Sequence, residues 1–180
     1  MIRIIAGEKK GRQLLAPTWK GLRPTSDRLR ETLFNVLRND VVDARFLDGC
    51  AGTGAIGLEA MSRGASKVMF VESDRRAVTV IEKNVQRCDS EKDATILFGT
   101  LPDVLGRQGK RPCFDLCVLD PPYEFDTTMI NAILTGVKGY LEEGGLIVLE
   151  RARRAVPVEV SGLVNRRCIT SGGSALYFYG

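Results

Sequence analysis

The sequence predicts an α/β protein built on a seven-stranded, mostly parallel sheet that ends in an antiparallel hairpin. Three observations predict it. From residue 44 onward short apolar runs alternate with segments of helical period, the pattern of successive βαβ units. A glycine-rich turn follows the first of those runs. After residue 150 the alternation gives way to two β-like runs separated by Ser171-Gly172-Gly173, a hairpin signature. A chain of 180 residues that is 44% hydrophobic can bury one full core, so a single domain over 1–180 is expected, with a basic N-terminal extension (1–40) ahead of the main body (44–180).

In chain order, residues 2–6 and 12–15 flank Gly7-Glu8-Lys9-Lys10-Gly11 and read as a basic β-hairpin. Pro24-Thr25-Ser26-Asp27 carries the start signals of a helix. That helix sets Leu29, Leu33, Phe34 and Leu37 on one face and leaves Arg28 and Arg30 for another surface, with Arg23 just ahead of it. Residues 45–48, 67–72, 94–98, 114–119 and 146–150 read as the sheet strands. Between them, 54–63, 74–87, 100–105 and 127–140 place apolar residues three and four apart and read as the covering helices. Residues 163–170 and 174–179 form the terminal hairpin.

Composition excludes several chemistries. Histidine is absent, which removes imidazole as general base or nucleophile partner and removes the commonest neutral metal ligand. The five cysteines form no paired CxxC array, and their odd number argues against a complete disulfide framework. No run approaches the roughly 20 apolar residues of a membrane helix, so a soluble, cytoplasmic protein is expected, with no metal and no membrane partner. Net charge is +4, but residues 1–40 hold nine Lys/Arg against four Asp/Glu and the rest of the chain sums to −1. Lys9, Lys10, Arg12, Arg23 and Arg30 are therefore expected to contact phosphates.

The glycine-rich turn, Asp48-Gly49-Cys50-Ala51-Gly52-Thr53-Gly54, lets backbone approach a ligand closely. Gly52, Gly54 and Gly57 satisfy GxGxxG, and Glu72 lies twenty residues beyond Gly52 at the end of the next strand, where a carboxylate can accept two ribose hydroxyls. A dinucleotide fits these features in part. Asp48, however, would oppose a pyrophosphate and would favour an ammonium, which suits the methionine moiety of S-adenosylmethionine (SAM).

The second chemical motif is Asp120-Pro121-Pro122-Tyr123, placed after an apolar strand and so at the same sheet edge as the glycine turn. It resembles the (Asp/Asn)-Pro-Pro-(Tyr/Phe) motif of amino-methyltransferases. An amino group conjugated to a base is a poor nucleophile because its lone pair is drawn into the ring. Two acceptors on its N–H bonds, a carboxylate and a proline-held carbonyl, re-orient that lone pair while an aromatic ring stacks on the base. Asp120, Pro121 and Tyr123 fit these roles, with Pro122 holding the turn. Only the ring of Tyr123 is needed, so Tyr123→Phe is expected to be nearly neutral. Cys113 precedes the strand, at the opposite sheet edge, and Cys113 and Cys117 read as strand-associated thiols.

Over nearly its whole length the chain resembles the RsmD family of ribosomal RNA guanine-N2 methyltransferases. The resemblance rests on Arg3-Ile4-Ile5-Ala6-Gly7 with Gly11-Arg12, on Arg23-Pro24-Thr25-Ser26-Asp27-Arg28-Leu29-Arg30-Glu31-Thr32-Leu33-Phe34-Asn35, and on residues 47–65 with the Asp-Pro-Pro-Tyr loop. It implies a Rossmann-like class I SAM-dependent methyltransferase fold and methylation of the N2 amine of one guanine in 16S ribosomal RNA, free or within a partly assembled small subunit. It also implies a SAM site made of residues 48–54 with Glu72, Ser73 and Thr100, the last standing where family members often carry Asp or Asn. By analogy with other amino-methyltransferases, Thr25 and Arg28 at the helix start are expected to face the methionine carboxylate. Three rival readings stand beside this one: an adenine-N6 DNA methyltransferase, which shares the motif; a nicotinamide-dependent oxidoreductase; and a non-catalytic RNA-binding module of ribosome assembly.

Overall fold

The computed structural model describes residues 2–17, 19, 25–108 and 113–180. Arg23 lies outside the described residues. Two short strands, β1 (Ile2–Arg3) and β2 (Gln13–Leu14), pair antiparallel and bury Ile2 and Leu14. They are shorter than the sequence suggests because Ile5 and Ala6 leave the pairing. Their N–H groups donate to the carboxylate of Glu59 at 2.7 and 3.0 Å.

Helix α1 (Asp27–Leu37) begins at Ser26, whose hydroxyl accepts the N–H of Leu29, and buries Leu29, Leu33, Phe34 and Leu37 as the spacing predicts. It also buries Arg30 completely, against expectation. Arg30 ion-pairs with Asp27 at 2.6 Å and with buried Glu59 at 3.8 Å, and it donates to the carbonyls of Arg3 and Ala55. A guanidinium locked in this way is a structural bolt and not a phosphate contact.

The main sheet follows β3 (Arg45–Gly49), β4 (Lys67–Glu72), β5 (Ala94–Phe98), β6 (Phe114–Leu119), β7 (Leu141–Ala152), β8 (Asn165–Ser171) and β9 (Ser174–Tyr179). Its spatial order is β5-β4-β3-β6-β7-β9-β8; the first five are parallel, and β9 runs antiparallel between β7 and β8. The chain's final strand is thus interior and β8 is the edge. Strand β7 begins five residues earlier than its apolar run because Leu141 pairs with Phe114 before the register shifts to Leu146 opposite Leu116. The intervening Glu142–Gly145 stretch hides the strand's first part from a hydrophobicity reading.

Helices α2 (Ala55–Ser62) and α3 (Arg75–Arg87) join α1 over a core containing Phe34, Phe46, Leu58, Phe70 and Ile81. On the other face, α4 (Asp103–Gly106) and α5 (Thr127–Lys138) cover Leu47, Leu119, Ile133, Leu134 and Leu149. Phe46 and Leu47 are neighbours on β3 yet both have no exposure, which is why the strands read as continuous apolar runs. Each such side chain contributes about 1.5–3 kcal/mol of burial. Between β3 and β6 the strand order reverses. In an open parallel sheet, ligands bind outside the carboxyl ends of the strands at that reversal.

Candidate active site at the carboxyl edge of the sheet

At that reversal lies a cavity of about 570 Å³, a size that suits a small-molecule ligand. The glycine turn after β3 forms its floor. Cys50 (φ +62°) and Gly54 (φ +75°) both take left-handed backbone, which Gly54 adopts freely and Cys50 adopts under strain. Gly57 permits close packing of α2 on β4, since a Cβ there would come within 2.3 Å of the Phe70 ring. The turn is held by two acids. Glu72, only 8% exposed, accepts the N–H groups of Gly52, Ser73 and Asp74 at 2.7–2.8 Å. Asp48, only 1% exposed, accepts the N–H of Gly57 at 2.7 Å.

The second loop follows β6. Asp120 is half-buried, and its Oδ2 accepts the Thr25 hydroxyl at 2.6 Å. Its backbone N–H meets the carbonyl of Gly49, which ties this loop to the glycine turn. Pro121 is buried, while Pro122 and Tyr123 are exposed at the mouth. The Tyr123 hydroxyl donates to Oε1 of Glu150 at 2.8 Å and lies 3.2 Å from the Ser174 hydroxyl. Glu150 on β7 is 3% exposed, and no described residue hydrogen-bonds its Oε2.

The sequence-derived set divides on this geometry. Cys50, Ala51, Gly52, Thr53, Glu72, Ser73, Thr100, Thr25, Asp120, Pro121, Pro122 and Tyr123 all line the cavity. Asp48, Gly49, Gly54 and Arg28 are not on its wall. Asp48 lies beneath the turn, where it holds the first turn of α2. Thr25, expected at a ligand carboxylate, is instead bonded to Asp120.

The basic residues are placed farther off. The N–H groups of Glu8 and Lys9 bond to the carbonyl and hydroxyl of Ser62, the last residue of α2. Arg12 donates to Asp89 and to the carbonyl of Arg87, at the far end of α3. Both helices start at the carboxyl edge, so Lys9, Lys10 and Arg12 sit at the opposite, amino edge of the sheet. The basic hairpin therefore does not flank the cavity.

Wall residues absent from the sequence reading are Trp19, Leu101, Phe125, Glu150 and Ser174, among others. Trp19 had a signal, being the single tryptophan of the chain and set in a basic segment. The Arg76 guanidinium lies 4.9 Å from its ring centroid and is held by Asp74 at 2.6 Å. Glu150 and Ser174 had none, because they reach Tyr123 only through sheet pairing.

The clustered acids shape the electrostatics. Burial, reinforced by the charges of Asp120 and Glu72, pushes the Asp48 carboxyl up to about 8. Burial and the charges of Glu72, Asp120 and Asp48 push the Cys50 thiol up to about 12, so it is a packing group and not a nucleophile. Burial also raises the Tyr123 phenol. A cavity lined by the carboxylates of Glu72 and Asp120 together with an aromatic ring suits a cationic ligand, and SAM is a cation at its sulfonium.

Strand order, glycine turn and Asp-Pro-Pro-Tyr loop together define a Rossmann-like, SAM-dependent methyltransferase fold. Residues 2–180 match the family model described as Conserved hypothetical protein 95. The chain is 40% identical over 151 residues to ribosomal RNA small subunit methyltransferase D of Haemophilus influenzae, covering 83% of this chain and 78% of that protein. It is 38% identical over 149 residues to the Escherichia coli K12 protein of the same name, covering 83% and 74%. Among solved structures, a hypothetical protein of Thermus thermophilus superposes with a TM-score of 0.83 at 31% identity, over 99% of this chain and 98% of that one. The chain belongs to the RsmD family.

Proposed function

We propose that the protein methylates the N2 amine of a guanine in 16S ribosomal RNA, using SAM and acting in the cytoplasm on a base turned out of its stack into the cavity. The observation that carries this reading is the bond from Thr25 to Asp120, which sets an oriented carboxylate at the same sheet edge as the glycine turn. The family relatives, named as small-subunit ribosomal RNA methyltransferases, support the substrate.

SAM, when bound, supplies an electrophilic methyl group. The remaining chemistry falls to the chain. Asp120 accepts one N–H of the amine and the Pro121 carbonyl accepts the other, which turns the nitrogen lone pair toward the methyl donor. The Thr25 hydroxyl fixes the rotation of the Asp120 carboxylate, so little reorganisation accompanies the reaction. An exocyclic amine is far too weak an acid to be ionised beforehand, and the proton leaves during or after transfer. Tyr123 stacks on the base. Glu72 accepts ribose hydroxyls of the cofactor, Ser73 and Thr100 stand on the adenosine side, and Asp48 acts on the cofactor through the turn it supports.

The test is nucleoside analysis of small-subunit ribosomal RNA from cells with and without the gene, followed by restoration with purified protein and SAM. Loss and return of N2-methylguanosine is expected. An unchanged guanine profile, or loss of N6-methyladenosine in its place, refutes the reading.

A further inference from the structure

Positive charge outside the basic hairpin stands at the carboxyl edge of the sheet. Arg153 follows β7; its N–H donates to the carbonyl of Gly173 at 2.8 Å, and its guanidinium approaches that of Gly172 at 3.5 Å. The next residue of that turn is Ser174, part of the cavity wall. Arg154 is exposed beside it. Arg151 donates to the carbonyl of Phe125, another wall residue, at 3.0 Å. On the opposite side of the β8–β9 turn, the Thr32 hydroxyl of α1 is 3.4 Å from that of Ser171, and exposed Arg28 lies one helical turn earlier, its carbonyl accepting from Thr32.

The four arginines thus stand next to wall residues of the cavity (Leu29, Phe125, Glu150 and Ser174), and none takes part in an ion pair among the described residues. The contrast with the N-terminal arginines is chemical as well as spatial. Arg12 is neutralised by Asp89 and Arg30 by Asp27 and Glu59. A polyanion approaching this side of the cavity meets arginines that no carboxylate holds in an ion pair among the described residues.

We propose that Arg28, Arg151, Arg153 and Arg154 form the docking surface for the RNA phosphate backbone on either side of the target base. The proposal rests on the RNA substrate argued above and names the face that receives it. Phosphate contacts fix register and orientation, so this rim sets how deeply the target base reaches toward Asp120.

The experiment is filter binding of a 16S ribosomal RNA fragment across a salt series, without turnover, for R153E/R154E and for K9E/K10E. Each phosphate contact contributes about 0.7–0.9 to the slope of log affinity against log salt, so R153E/R154E should lower that slope by about 1.5, with Kd for RNA raised about tenfold or more. K9E/K10E makes the same change in net charge at the far edge and should lower it much less. A wild-type slope and Kd in R153E/R154E overturns the proposal, and so does an equal loss in K9E/K10E, which would reduce the effect to net charge. Calorimetry with SAM verifies folding; should the glutamate pair lose SAM binding, R153Q/R154Q carries the same test. Binding is read apart from the product, so absence of N2-methylguanosine with an intact arginine effect removes the guanine assignment and leaves the docking surface standing.

Discussion

The two loops at the carboxyl edge are built on different principles. The glycine turn after β3 is held mainly from within its own βαβ unit: Glu72 accepts the Gly52 N–H and Asp48 the Gly57 N–H at the start of α2, across 20 and 9 residues. The Asp-Pro-Pro-Tyr loop is held from afar, with Thr25 on Asp120 across 95 residues, and Glu150 and Ser174 on Tyr123 across 27 and 51. The first loop can be ordered as soon as its unit folds. The second is ordered only when α1 and the terminal hairpin have docked, so cofactor binding and catalysis should be separable by mutation.

The largest expected effect is at the second loop. Asp120→Ala should lower single-turnover methyl transfer about 100-fold or more, the scale of deleting one preorganised hydrogen bond to the reacting group, with SAM affinity unchanged. Asp120→Asn keeps an oxygen for the amine and should retain measurable turnover. Equal inactivity of the two variants would mean that Asp120 works through its charge; full activity of both would make the loop a structural turn.

At the first loop the pattern should invert. Glu72→Ala removes the acceptor of three backbone N–H groups and of the proposed ribose contact, so SAM binding should weaken by about 1–3 kcal/mol in calorimetry. Wild-type affinity in this variant would remove Glu72 from the cofactor site.

Tyr123→Phe sharpens the contrast between the loops. From sequence, only the ring mattered. In the structure the hydroxyl is the donor to Glu150, a buried carboxylate whose other oxygen already lacks a donor among the described residues. Its removal should cost about 1–2 kcal/mol in thermal or chemical unfolding, while SAM affinity stays unchanged. No loss of stability would show that the Glu150 contact is incidental.

A separate effect is one of pH. The Asp48 carboxyl is raised from its ordinary 3.8 to about 8, so between those values the folded protein holds a proton that the unfolded chain releases. Stability from this group is full below about pH 4, declines as pH rises, and is lost above about 8. Asp48→Asn cannot ionise and still offers an oxygen to Gly57. Melting curves at pH 5 and pH 9 should therefore show wild type losing ground to the variant at the higher pH; parallel profiles would refute a buried, protonated Asp48.

The same contrast explains what was legible in the sequence. The strands were, because side chains buried on both faces leave unbroken apolar runs, as at Phe46-Leu47 and Val118-Leu119. The glycine turn was, because its determinants are local. Arg30 was misread because its charge is matched by Glu59, 29 residues on, and by a carbonyl of β1. The edge at which Lys9, Lys10 and Arg12 stand gave no signal, because it depends on where α2 and α3 end. Glu150 gave no signal because its role depends on Tyr123 reaching across to β7.

The placement of β8 at the border of the sheet bears on how the molecule behaves in a crowded solution. One side of this strand is bonded to β9, and the other presents unpaired backbone to the surroundings, a template on which a second molecule could add a strand. Asn165, Arg166 and Arg167 stand exposed along its first half. Bringing two such borders together would crowd their guanidinium groups, a charge arrangement that disfavours edge-to-edge pairing independently of anything at the cavity.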